Sequence, residues 1–322
     1  MSATSSRLVS AADLILTAPA VSPAEPGTST GSALPGVGAR GVAELLARRL
    51  AADPARPLVT FYDDATGERV EFSATTLDNW VAKTANLLVD TLGLGPGGQV
   101  AMDLPPHWLA LVIALATWSA SGELLVVEQS QDRAETGPQV PEPPAATPLD
   151  ALFVAQDRLD AAADRGADET VALSLRPLGG RLTRSVPGVL DYAVEVPPHG
   201  DRFGAPPAPA AQLDLVRVAL RTAATWQLGA SDRLLVTAGP SSATGLLGGL
   251  LAPLAAGASI VLCRRPDPDV LVRRIQAERV TAIVATPPTV DVAPTVDVAP
   301  TVDEVAVAAT AGIRVLHLPG SG

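Results

Sequence analysis

From Leu234 to Cys263 the chain runs for 30 residues without a charged side chain. A run of this length suits either a membrane span or segments buried inside a protein. Its punctuation decides between the two. Gly239-Pro240, Gly248-Gly249 and Pro253 interrupt it, Gly257 stands where a helix C-cap falls, and Ala258–Cys263 turns β-rich. Strand, turn, buried helix, turn, strand is the reading that fits, with no membrane span.

The same alternation extends along the chain. Residues 41–53 carry Val42, Leu45, Leu46 and Leu50 at helical spacing. Pro57–Asp63 and Arg69–Phe72 read as strands joined through Asp64-Ala65-Thr66-Gly67, a hairpin signal. A capped helix from Thr75 or Thr76 to about Leu92 presents Leu77, Val81, Thr84, Leu87 and Leu88 as its apolar face. It leaves Lys83 on the solvated side. Strand Gln99–Leu104, a helix opened by Pro105-Pro106 and strand Leu124–Val127 form a βαβ order, which implies parallel strands. Ala151–Val154 and Thr170–Leu175 are further strands around a short helix. Residues 210–226 form a helix with Leu213, Val216, Leu220 and Ala224 in register. Strand 233–237, helix 242–256, strand 259–263, helix 268–278, strand 281–285 and strand 313–318 complete the pattern. The fold class is α/β, with layered, mostly parallel sheets flanked by helices.

Three stretches stand outside that pattern. Residues 1–40, rich in Ser, Thr, Ala, Pro and Gly, read as a disordered leader ahead of a domain over 41–322. Residues 129–148 read as a linker or exposed loop. Residues 288–303 contain PTVDVA twice and the start of a third copy, too short for a solenoid, and read as a repeat loop.

Composition narrows the chemistry. Net charge is −11 with a pI near 4.7, which argues against nucleic acid as a partner. Lys83 is the one lysine and Cys263 the one cysteine, so no intrachain disulfide forms. His107, His199 and His317 lack metal-ligand spacing and read as structural or solvated. With no secretion signal evident, the expected location is the cytoplasm.

Residues 57–118 (PLVTFYDDATGERVEFS through LVIALATW) resemble the opening segment of adenylate-forming, AMP-binding enzymes such as acyl-CoA ligases. Residues 232–290 (DRLLVTAGPSSATGLLGGLLAPLAAGASIVLC through ATPPTV) resemble their middle segment. The chain is most similar to short actinobacterial proteins related to that superfamily. The resemblance implies the N-terminal domain of such an enzyme, with ATP or AMP and Mg²⁺ as the cofactors to consider and a nucleotide or acyl compound as ligand. A protein partner is also open.

The departures are chemical. The family's phosphate loop, rich in Ser, Thr and Gly and ending in Pro-Lys, belongs between Thr170 and Asp201. That stretch offers only Gly179, Gly180 and Arg181. Ser241-Ser242-Ala243-Thr244-Gly245 is a substitute anion site or a helix cap. Pro319, Gly320 and Ser321 match the turn that touches adenine. The later nucleotide motifs and the C-terminal ligase domain are expected to be absent. The expected function is therefore a non-catalytic nucleotide- or acyl-binding, or partner-recruiting, relative without catalytic residues. Two alternatives stay open: a ligase half completed in trans, and a truncated gene product.

Overall fold

A computed structural model describes residues 7–18, 34–128, 148–286 and 302–318. Among them lie two six-stranded sheets. The first is built from β1 (Arg7–Ser10), β4 (Gln99–Asp103), β5 (Glu123–Glu128), β6 (Leu149–Ala155), β7 (Ala167–Leu173) and β8 (Val189–Asp191), in the order β1-β5-β4-β6-β7-β8. Only β1 is antiparallel to its neighbour there. The second is built from β2 (Pro57–Asp63), β3 (Glu68–Ser73), β9 (Arg233–Val236), β10 (Ser259–Arg264), β11 (Ala282–Val284) and β12 (Arg314–Leu316), in the order β12-β11-β9-β10-β2-β3. The β2–β3 hairpin is its antiparallel edge, turning at Gly67 with φ +73°.

One continuous core joins the inner faces of both sheets. It runs through α2 (Val42–Ala52), α3 (Ala74–Asn86), α4 (Trp108–Ser119), α6 (Tyr192–Glu195) and α7 (Ala210–Thr225). All twelve residues of α4 are buried, which explains its nearly unbroken apolar sequence. The outer face of the first sheet packs on α5 (Leu159–Ala162), and that of the second on α9 (Pro268–Ala277) and α10 (Glu304–Ala311). No helix among the described residues is long and apolar enough to cross a membrane.

Four local expectations change. The stretch read as a leader contains structure: β1 pairs with β5, and α1 (Ala11–Thr17) buries Ala11, Leu14 and Ile15. Ser10 caps α1 by accepting the Asp13 N–H at 3.3 Å. Elements of four and seven residues are too short to show a period against a small-residue background. On α7 the buried stripe is Gln212, Leu215, Val216, Ala219, Thr222 and Ala223, one position round from the Leu213–Leu220–Ala224 line. The expected helix over 242–256 is a π-helical stretch at Thr244–Leu251 followed by α8 (Ala252–Ala256). Lys83 is an anchor and not a free surface lysine. Its Nζ donates to the Pro197 carbonyl at 3.0 Å and to that of His199, and pairs with Asp201 at 2.8 Å. The expected linker, apart from Pro148, and residues 288–301 of the repeat lie outside the described residues.

Candidate functional site

In parallel sheets the strand ends on the carboxyl side open onto loops free to carry function, and that is where ligands of α/β proteins bind. Here residues at the carboxyl ends of both sheets line one cleft of about 330 Å³. Gln156 and Asp157 follow β6, and Ser174, Leu175 and Arg176 follow β7. Thr183 stands in the β7–β8 connection. Arg264 is the last residue of β10 and Arg265 the next. Three guanidiniums thus face one lining carboxylate, a local excess of positive charge in a chain of net charge −11.

Two strand-terminal aspartates pair with arginines here, Asp63 with two that line the cleft and Asp103 with two that do not. Asp63 at the end of β2 is 1% exposed and takes Arg265 Nε at 2.9 Å, with Arg264 at 3.7 Å. Asp103 at the end of β4 takes Arg158 at 2.6 Å and Arg165 at 3.4 Å. Burial and the neighbouring Arg265 hold the Arg264 guanidinium below its usual pKa. His107 caps α4, its Nδ1 accepting the Leu109 N–H at 3.1 Å. Burial, aided by Arg264, pushes its pKa down to about 3, so the ring stays neutral.

The backbone is unusual at the same place. Leu175 and Arg265, which both line the cleft, have φ +50° and +46°, in the left-handed region that non-glycine residues avoid; Ser121, Gln227 and Arg279 share it elsewhere. Such strain concentrates where a fold has to aim a group.

Of the residues expected to bind phosphate, Gly179 (φ +65°) ends a 3₁₀ turn, and an added Cβ there would stand 3.7 Å from the Trp108 ring. The Gly180 carbonyl accepts from Ser174 Oγ, and Arg181 is exposed. This segment connects Arg176 to Thr183 beside the cleft, while the lining comes from residues on either side of it. Pro319, Gly320 and Ser321 lie outside the described residues. Ser241–Gly245 takes the cap reading. Ser242 Oγ donates to the Gly239 carbonyl at 3.0 Å and accepts the Gly245 N–H at 3.1 Å. A Cβ on Gly245 would meet the Gly239 oxygen at 1.9 Å. Sequence reading missed Gln156, Arg176, Arg264 and Arg265. The available signal was an Arg-Arg pair closing an apolar strand.

A Mycobacterium tuberculosis "TIGR03089 family protein" is 40% identical over 241 residues, which are 73% of this chain and 94% of that one. The chain belongs to the TIGR03089 family. Residues 211–321 of this TIGR03089 chain also match the AMP-binding enzyme family. Its fold is that of adenylate-forming enzymes. The Brucella canis acyl-CoA synthetase superposes with a TM-score of 0.57 at 15% identity, over 76% of this chain and 47% of that one. For the acetoacetyl-CoA synthetase of Streptomyces lividans the TM-score is 0.60 at 18% identity, over 85% and 44%. For apo MatB from Rhodopseudomonas palustris it is 0.55 at 20%, over 76% and 49%. The chain thus spans about half the length of these solved structures.

The donor set of the cleft can be matched to the groups the fold suggests. Guanidiniums suit phosphate oxygens, as does the Thr183 hydroxyl, whose oxygen accepts from Gln156 Nε2 and whose proton is left to donate; the Ser174 proton is already given to the Gly180 carbonyl. A Mg²⁺ ion asks for carboxylates, and Asp157 is the one among the lining residues.

Proposed function

We propose that this TIGR03089 protein is a non-catalytic relative of AMP-binding enzymes that holds a phosphate-bearing nucleotide or acyl ligand in the arginine cleft. The observation that carries the reading is the convergence of Arg176, Arg264 and Arg265 with Ser174, Thr183 and Gln156 at the carboxyl ends of both sheets. Guanidiniums bind phosphate through charge and paired N–H donors together. The structural neighbours include acyl-CoA and acetoacetyl-CoA synthetases, which agrees with a ligand carrying both an acyl and a phosphate group.

The non-catalytic part rests on the cations. Adenylate formation requires fixed donors and cations at the charge that grows on the phosphates. The lone lysine is tied to two carbonyls and Asp201, and two of the three cleft arginines are already paired to Asp63.

Calorimetric titration with ATP, AMP and a non-hydrolysable acyl-adenylate mimic tests the reading. At least one should bind, and Arg176→Ala should weaken it about tenfold, as expected for one lost charge-assisted contact. Failure of all three to bind, or binding indifferent to both Arg176→Ala and Arg264→Ala, would refute it.

A further inference from the structure

One cleft guanidinium is already forked onto a carboxylate. Arg265 places Nε 2.9 Å from Asp63 Oδ1 and Nη2 on Oδ2. This is the two-pronged geometry in which arginine takes a planar oxyanion. The two ends differ in surroundings: Asp63 is 1% exposed, whereas the Arg265 side chain is 40% exposed and lines the cleft. The fork is made on strained backbone, since Arg265 has φ +46°.

The turn carrying Arg265 does not depend on the fork. Asp64, next to Asp63, accepts the Asp267 N–H at 2.7 Å and Arg274 Nη1 at 3.1 Å, with Arg274 Nη2 on its other oxygen. Those bonds tie Asp267 and α9 to the β2–β3 turn independently of Arg265. If Arg265 turned away, Asp63 would keep Arg264 at 3.7 Å and the Ala65 N–H at 3.2 Å.

We propose that Asp63 is the internal counter-anion of the cleft: a ligand phosphate takes Arg265 in its place, and Asp63 sets affinity and selectivity for polyanions over singly charged ligands. The idea rests on the cleft being a phosphate site. The physical reason is a charge comparison. A monocarboxylate entering the cleft exchanges one carboxylate for another on Arg265 and gains little. A pyrophosphate carries enough charge and oxygens to engage Arg265, Arg264 and Arg176 together, which offsets the loss of the Asp63 pair.

The test is calorimetry with inorganic pyrophosphate and with acetate at fixed ionic strength, on wild type, Asp63→Asn, Arg265→Ala and the double variant. Asn keeps an acceptor for the Ala65 N–H. Asp63→Asn should bind pyrophosphate about tenfold more tightly, the size of one released charge-assisted contact. It should bind acetate measurably, so that selectivity narrows, and the double variant should lose the gain. Asp157→Asn, which removes a lining charge without freeing a fork, measures the general electrostatic part. Unchanged or weaker pyrophosphate binding by folded Asp63→Asn, or a gain that survives Arg265→Ala, overturns the proposal and leaves the cleft as a phosphate site. Absence of binding in both wild type and Asp63→Asn overturns the two readings together. Should Asp63→Asn not fold, a crystal structure of wild type with pyrophosphate decides. Arg265 turned from Asp63 onto the anion supports the proposal, and Arg265 still forked on Asp63 beside bound pyrophosphate overturns it.

Discussion

Gln212 does more for the fold than its place on a helix suggests. It is 4% exposed, its Oε1 accepts the Val42 N–H at 3.1 Å and its Nε2 donates to the Trp118 carbonyl at 2.8 Å. One amide on α7 therefore ties the start of α2 to the end of α4: it is the acceptor for the buried Val42 N–H, and it adds a second donor to the Trp118 carbonyl, which already takes the Ser121 N–H at 3.1 Å. Its fit is tight: a Cβ on Gly41 would come within 2.4 Å of Ala208 and 3.0 Å of Gln212 Oε1. Gln212→Leu keeps the volume but strands the Val42 N–H, so urea denaturation should show a loss of about 1–3 kcal/mol, the cost of one buried unsatisfied group. A change under 0.5 kcal/mol would mean that neither bond matters.

Elements show how register and burial divide the work. On α7, Leu215 is 2% exposed, while Leu220 is only partly buried. Leu215→Asp should therefore destabilise by several kcal/mol, as burying an unpaired charge does, and Leu220→Asp by clearly less. Equal losses in thermal melts would mean that the stripe is misassigned. The β9, β11 and α10 ends meet at Glu304, which is 5% exposed. Its carboxylate accepts the Thr286 N–H at 2.6 Å, the Thr286 hydroxyl at 3.0 Å and the Thr237 hydroxyl. Burial raises its pKa above the ordinary carboxylate range despite those donors and His317. The folded state then holds the proton more tightly than the unfolded chain does. Stability from this group is fully present below the ordinary glutamate pKa and falls as pH rises through the raised folded value. Glu304→Gln should remove that fall, so wild type minus variant stability should decline with pH across this window. A difference that is flat or rises with pH, measured by denaturation at stepped pH, would show the sign to be wrong.

At the scale of the whole molecule, two sheets with separate outer faces share one core and point their carboxyl ends at one cleft. A single core for both sheets predicts a single cooperative transition in which ligand stabilises everything at once. Pyrophosphate at about a hundred times its dissociation constant should add about 2.7 kcal/mol to global stability. It should do so without carboxylate-dependent exchange of pyrophosphate into ATP, because the cleft lacks a lysine and two of its three arginines are paired to Asp63. Exchange above background that is abolished by Arg264→Ala would replace the binding reading with an enzymatic one.

Periodicity and glycine-proline punctuation determined most of the element order, β1, α1 and β8 excepted. The uncharged run from Leu234 to Cys263 read as strand, buried helix and strand because glycine and proline punctuate it, and those segments are β9, the helical stretch through α8, and β10. The α3 face of Leu77, Val81 and Thr84 is buried as its spacing required. The absent Pro-Lys phosphate loop was equally plain, since residue identity needs no fold to be seen. Tertiary structure decided the rest. β1 and α1 exist because β5 offers a free edge and the core offers a place for Leu14 and Ile15, neither of which a seven-residue window reveals. Arg176, Arg264 and Arg265 are separated by nearly ninety residues of sequence and become one site only where two sheets end side by side. Lys83 looked solvated because its helix face is polar. Whether a polar side chain meets water or the carbonyls of Pro197 and His199 is a matter of which loop lies across it, and no local pattern encodes that.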